Sequence, residues 1–160
     1  MSVTPNVTRN VIQYCRVEHC VSGLEGATRE AVVRELVGRF QASGALDAAA
    51  ADDVIGRVLA REQEGTTGIG GGVAMPHARA CPHVDETLIA VGLAEGGVDW
   101  ESTDGEPVHV AFLIVSNSPE EYLGVASRVA RVARDVVEIR ALRRQGTAER
   151  IHAFLEETWA

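Results

Sequence analysis

A layered α/β domain, with helices covering a central sheet, is the fold class that this 160-residue chain predicts. Three observations carry it. Thr87 to Leu93 and Val108 to Val115 are nearly continuous apolar runs, the pattern of strands covered on both faces. Apolar residues before and after these runs recur at helical spacing. Strand and helix signals also interleave along the chain, which places helices over a shared sheet.

The elements follow in order. Val7 to Tyr14 reads as a short helix and Cys20 to Leu24 as a strand. Thr28 is the N-cap of a helix running to about Ala42. Its Val32, Val33, Leu36, Val37 and Phe40 form one stripe, and Ser43-Gly44 ends it. Asp52 to Glu62 is a second helix, with Val54, Ile55, Val58 and Leu59 on one stripe. A glycine segment, Gly65 to Gly72, precedes a short strand from Val73 to Met75. Asp104-Gly105 marks a turn between the two long apolar runs. Pro119, followed by Glu120 and Glu121, opens a helix to about Arg134, because proline and carboxylates both suit a helix N-terminus. Thr147 caps a last helix whose inner face is Ile151, Phe154 and Leu155.

The length suits one well-buried core, so a single domain over residues 1–160 is expected, with its core at about 20–158. The longest apolar run, Val108 to Val115, is far short of the ~20 residues that a membrane span needs. Met1 to Asn6 has neither the basic flank nor the apolar core of an export signal. A complete cytoplasmic protein, not inserted in a membrane, is therefore expected. The formal net charge is -8 and there is no lysine. An acidic chain without a basic stripe argues against nucleic acid or an anionic membrane surface as partner. Cys15, Cys20 and Cys81 are odd in number and form no C-x-x-C pair, so three reduced thiols are expected.

The chemistry concentrates between Gly68 and Arg79. A glycine-dense segment runs through Val73, Ala74 and Met75 to Pro76 and His77. Glycines let a backbone take φ > 0 or pass close to a ligand. Pro76 fixes its own φ and holds Met75 extended, so His77 projects from a stiff strand end. A rigidly held imidazole titrates near neutral pH, and its neutral form offers a nucleophilic nitrogen. The glycines make no Walker A loop, since no G-K-[ST] follows, and Val73 occupies the third glycine position of G-x-G-x-x-G. Read locally, Arg61 is a favourable charge at a helix C-terminus, and Thr66 and Thr67 are turn residues. A separate reading takes His77, Cys81, His83 and Asp85 as metal ligands, although H-x-x-x-C-x-H is not a common zinc spacing. His83 otherwise reads as a surface loop residue and His109 as a hydrogen-bonded core histidine, while His19 and His152 carry no signal.

The order Arg61-Glu62, Thr66-Thr67-Gly68-Ile69-Gly70 and Gly72-Val73-Ala74-Met75-Pro76-His77-Ala78-Arg79 resembles the type 2 enzyme IIA domain of the bacterial sugar phosphotransferase system. That group includes fructose- and mannitol-type domains and nitrogen-regulatory homologues. The resemblance extends from roughly Leu24 to Phe154 and takes in the helix start at Thr28-Arg29-Glu30 and the segment Asp104-Gly105-Glu106-Pro107-Val108. It implies a three-layer α/β/α sandwich around a mixed sheet. It also implies that His77 accepts a phosphoryl group from a histidine phosphocarrier protein. The group then passes to a cysteine of a IIB domain or protein, or serves as a signal to regulatory target proteins. No cofactor is implied. Arg61 matches the family's active-site arginine, and a planar guanidinium suits phosphoryl oxygens. Thr67 and Thr66 are candidate donors to the same oxygens, and Arg79 faces either them or the partner.

One departure stands out. The resemblance calls for a second histidine at the start of the helix after the last long strand, where this chain has Tyr122. A phenol can donate to a phosphoryl oxygen but offers no imidazolium. A non-transferring regulatory module on the same scaffold is thus the alternative to a phosphocarrier, with metal binding third. The phosphocarrier reading expects His77 in a shallow, solvent-reachable depression with Arg61 and Tyr122 at its rim.

Overall fold

The computed structural model describes residues 10–160, and residues 7–9 of the first expected helix lie outside them. Val11–Tyr14 is a single 3-10 turn, started by the Asn10 carboxamide accepting the N–H of Ile12, and Val17–His19 is another. The ordered elements are then β1 (Cys20–Val21), α1 (Arg29–Ala42), α2 (Ala48–Glu64), β2 (Gly68–Gly70), β3 (Val73–Ala74), β4 (His77–Ala78), β5 (Leu88–Val98), β6 (Val108–Val115), α3 (Pro119–Ala133), α4 (Val136–Leu142) and α5 (Ala148–Thr158). Among the described residues no helix is long and apolar enough to cross a membrane.

The sheet is mixed, in the order β1-β5-β6-β3-β2, with β4 also paired to β6. β5 and β6 form its antiparallel centre, and β1, β3 and β4 each join it in parallel. Alternation sorts their side chains onto two faces. Leu88, Ala90, Ala94, Ala111, Leu113 and Val115 pack under α1 and α2. Ile89, Val91, Leu93, Val110, Phe112 and Ile114 pack under α3, α4 and α5. Continuous apolar runs were therefore the right sign of strands buried on both faces.

Several boundaries differ from the expectation. β1 stops at Val21, because the chain then bends and Leu24 crosses over Gly92. A Cβ on Gly92 would stand 2.6 Å from the Leu24 side chain, and the Leu24 N–H still reaches the Leu93 carbonyl at 2.9 Å. α2 starts four residues earlier than Asp52, with the Asp47 carboxylate accepting the Ala50 N–H at 2.8 Å. Alanines 48–51 favour helix without marking an apolar stripe. Part of the glycine segment is strand β2, antiparallel to β3. α4 was not expected, and on α5 Ile151 and Leu155 are buried while Phe154 is only partly covered. Cys15 and Cys20 lie with their sulfurs 3.8 Å apart in the core, and Cys81 is buried on the other side of the sheet.

Candidate functional site

The site begins at the tight connection between β2 and β3. Gly70, Gly71 and Gly72 take φ of 92°, 66° and 81°, left-handed values that only glycine adopts cheaply in succession. The Asp104 carboxylate accepts the Gly71 N–H at 2.9 Å, and the Gly72 carbonyl accepts the N–H of His109 at 2.7 Å. The chain re-enters the sheet beside β6, where Pro76 separates β3 from β4 without an N–H to leave unpaired. The Pro76 carbonyl accepts the Ile114 N–H at 3.1 Å, and His77 comes into parallel register with Ile114.

That register holds the imidazole in one state. Nδ1 of His77 lies 3.1 Å from the Met75 carbonyl oxygen, which can only accept, so Nδ1 carries the proton and Nε2 the free lone pair. His77 as a residue is 8% exposed, and its ring packs against Tyr122, with centroids 4.7 Å apart and planes inclined by 31°. Burial lowers the His77 pKa below the ordinary histidine value; the bond to Met75 opposes this, and the positive charges of Arg61 and Arg79 add to it. The neutral, nucleophilic form is thereby favoured. Burial also raises the Tyr122 phenol, against the pull of Arg79 and Arg61.

His77, Arg61 and Tyr122 line one depression of about 410 Å³, together with Thr66, Ser127 and Arg134. Arg61, His77 and Arg79 border a second, of about 280 Å³. The three residues are thus together, but Tyr122 lies on the imidazole instead of at the rim, and His77 is more enclosed than expected. One Nη1–H of Arg61 caps the Gly65 carbonyl at 2.8 Å, as its helix-end reading expects, and the same guanidinium borders both depressions.

The two threonines turn inward. The Thr66 hydroxyl donates to the Trp100 carbonyl at 2.7 Å and accepts the Gly68 N–H at 3.0 Å. The Thr67 hydroxyl donates to Glu62, accepts from the Trp100 indole at 3.1 Å, and its N–H reaches Glu62 at 2.7 Å. Both hydroxyls are occupied within the fold, so the turn reading fits them better than donation to a ligand.

Glu62 is the residue that the sequence analysis passed over. Its buried carboxylate gathers both Thr67 donors and lies 3.7 Å from Nη1 of Arg29, which also bonds the Trp100 carbonyl. The Thr67 carbonyl in turn accepts the Met75 N–H at 3.0 Å. A chain of bonds therefore runs from Glu62 through Thr67 and Met75 to Nδ1 of His77. The signal was present: Val54, Val58 and Glu62 recur every four residues, so Glu62 sits on the buried stripe of α2. Tyr122 likewise begins the buried stripe of α3, followed by Val125, Val129 and Val132.

The residues of the metal-ligand reading lie in separate surroundings. His77 bonds Met75, Cys81 is fully buried, and His83 pairs with Asp53 at 2.8 Å. Among the described residues no three such groups converge. His109 is half-buried and bonded to the Ala94 carbonyl at 3.0 Å.

Comparison with known proteins gives this arrangement a context. The family model described as "Phosphoenolpyruvate-dependent sugar phosphotransferase system, EIIA 2" matches residues 13–158. The chain is 34% identical over 117 residues to the "PTS system fructose-specific EIIABC component" of Bacillus subtilis, covering 72% of this chain and 16% of that protein. It is 33% identical over 100 residues to a "Nitrogen regulatory protein" of Bradyrhizobium diazoefficiens, covering 61% of this chain and 65% of that one. The match spans less than two thirds of the length of either relative. Among solved structures, the nitrogen regulatory protein IIA-Ntr from Neisseria meningitidis superimposes with a TM-score of 0.79 at 26% identity, covering 91% of this chain and 98% of that one. The family match takes in every described strand and helix from β1 to α5: the chain belongs to the EIIA 2 family of the phosphoenolpyruvate-dependent sugar phosphotransferase system.

Proposed function

We propose that this protein is a phosphocarrier that takes a phosphoryl group onto Nε2 of His77 from a histidine phosphocarrier protein. The observation that carries the reading is the bond from Nδ1 to the Met75 carbonyl, which leaves Nε2 as the free nitrogen beside Arg61 and Arg79. The Nε2 lone pair attacks phosphorus while the bond to the donor's imidazole nitrogen breaks and its electron pair returns to that nitrogen. Such a transfer asks the protein mainly for position and for charge stabilisation. The Glu62–Thr67–Met75 chain supplies position, and the two guanidiniums supply charge for the phosphoryl oxygens. The group then passes to a IIB cysteine, or is kept as a regulatory signal.

The regulatory alternative has its own support. Tyr122 covers the imidazole where the resemblance calls for a second histidine, and several relatives are named nitrogen regulatory proteins. Exchange limited by that substitution suits a signal better than a transport flux. Incubation with phosphoenolpyruvate, enzyme I and the histidine phosphocarrier protein, followed by intact mass, tests the proposal. One phosphoryl increment on the wild type and none on His77→Ala is the expected result; equal labelling of both removes His77 from the mechanism.

A further inference from the structure

Cys15 and Cys20 have no part in the chemistry at His77, yet the fold sets their sulfurs side by side. Sγ of Cys15 lies 3.8 Å from Sγ of Cys20, and the two sulfurs stand 4.0 and 3.6 Å from the Arg16 carbonyl oxygen. Both residues are free thiols in the same half of the core, 1% and 4% exposed. Cys81 is also free and buried, but across the sheet. Sulfurs in a disulfide stand ~2.05 Å apart, so an approach of roughly 2 Å, which side-chain torsions supply, joins this pair.

The chain between them suits that approach. It runs from the end of the 3-10 turn Val11–Tyr14 through the turn Val17–His19 into β1. The Cys15 N–H reaches the Ile12 carbonyl at 3.0 Å, and the His19 N–H reaches the Arg16 carbonyl at 3.0 Å. Such one-turn pieces open locally more easily than a paired central strand, and opening admits a small oxidant. Both ends are anchored. The Cys15 carbonyl accepts Nε2–H of His152 on α5 at 3.0 Å, and Cys20 is in register with Val91 of β5. The bond to Cys20, and then burial, push the Cys15 thiol up, so the proton stays on Cys15. Cys20, the less buried of the two, is therefore the sulfur that meets the oxidant first.

We propose that Cys15 and Cys20 form a reversible thiol–disulfide site that is oxidised by hydrogen peroxide. The Cys20 thiolate attacks one peroxide oxygen, the O–O bond breaks, and hydroxide leaves with the electron pair. Hydroxide takes up the proton that Cys20 released, and Cys20 is left as a sulfenic acid. The Cys15 sulfur then attacks the Cys20 sulfur, the S–O bond breaks, and water leaves with the Cys15 proton. Two thiols are oxidised and one peroxide is reduced to two waters. A dithiol reductant reverses the bridge by exchange. The closed loop fixes the two turns against β1 on the side of the sheet that also carries Met75 and Tyr122, without engaging His77.

The test treats folded wild-type protein with hydrogen peroxide, unfolds it in urea with an alkylating reagent, and reads intact mass and peptide map. The expected result is a loss of about 2 Da before alkylation, a linked Cys15–Cys20 peptide, an alkylated Cys81, and full reversal by dithiothreitol. The bridged protein is expected to melt about 4–8 °C above the reduced one, because the loop is closed in the unfolded chain as well. Dimedone is expected to trap a sulfenic acid on Cys20 in Cys15→Ala and none on Cys15 in Cys20→Ala. Neither variant should gain melting temperature from peroxide. Three alkylated thiols after peroxide, a bridge that takes in Cys81, or a Cys15–Cys20 bridge formed only in urea overturns the proposal. The wild-type map decides this even where a variant fails to fold.

Discussion

Replacing Glu62 tests whether the site is held from beneath. The carboxylate is buried, accepts two hydrogen bonds from Thr67 and stands 3.7 Å from a guanidinium nitrogen of Arg29. Hydrogen bonds to a charged group contribute about 1.5–3 kcal/mol each, whereas the contact with Arg29 adds little, because Arg29 is partly exposed and holds Glu101 at 2.6 Å. Glu62→Ala is therefore expected to lose about 3 kcal/mol or more through its two bonds to Thr67, a large part of the roughly 5–15 kcal/mol that holds a typical domain together. Glu62→Gln keeps one acceptor oxygen and is expected to lose about 1.5–3 kcal/mol. Urea denaturation followed by circular dichroism measures both, and an unchanged m value makes the shift in midpoint a change in stability. Glu62→Gln stays folded enough for kinetics. Because Thr67 sets the Met75 backbone that orients His77, its transfer rate is expected to fall as well, by up to ~10² if the ring moves by about 1 Å. A Glu62→Ala protein within about 1 kcal/mol of wild type would refute the reasoning. Normal transfer by Glu62→Gln would separate the network from the chemistry.

Arg61→Ala is expected to slow protein-donor transfer by ~10²–10³, and Arg61→Lys to recover only part of it, since an ammonium lacks the bidentate fork. Rapid-quench labelling with donor in excess measures both. Acid should destabilise the fold through His19. Its ring is buried, with Nε2 bonded to Ser43 at 2.7 Å and Nδ1 without a partner, and its pKa is lowered to about 4 by burial, then by Arg16 against Glu18. The native state thus binds fewer protons than the unfolded chain below the ordinary histidine value of 6.5, so stability present above that pH is lost as pH falls toward 4. The loss is about 3 kcal/mol, and His77 adds to it in the same direction. Urea midpoints across this range check it, and His19→Gln should flatten the acid limb. Tyr122→His, followed by stopped-flow labelling, should raise a slow wild-type rate if a second imidazole assists transfer; a slower variant would show that the phenol's packing against His77 matters more than an added proton donor.

The parts of the fold that were legible in the sequence are those where one physical signal dominates. β5 and β6 announce themselves because both faces are buried, and α1 because Thr28 caps a five-residue apolar stripe. The position of His77 stood out because Pro76 stiffens the chain before it and the glycines allow the tight turn that precedes β3. What escaped was decided by tertiary contact. α4 has two valines at its start, yet both are exposed and only Ile139 and Leu142 face inward. The stretch therefore shows no clean apolar stripe by which a helix could be read. Thr66 and Thr67 are of the right type to bind a phosphoryl group, but Trp100, more than 30 residues away in sequence, claims one through its carbonyl and the other through its indole. The stacking of Tyr122 on His77 follows from the phase of α3 over the sheet, which spacing alone leaves free.

The central claim is that His77 is loaded on Nε2 while Nδ1 stays bonded to Met75. The most direct measurement is a long-range proton–nitrogen correlation spectrum of the imidazole, recorded on ¹⁵N-labelled protein before and after phosphorylation by the protein donor. The account predicts that before loading the protonated nitrogen is Nδ1, and that after loading phosphorus couples to Nε2 with Nδ1 still protonated. Phosphorus on Nδ1, or phosphorylated protein whose His77 ring signals do not change, would contradict it.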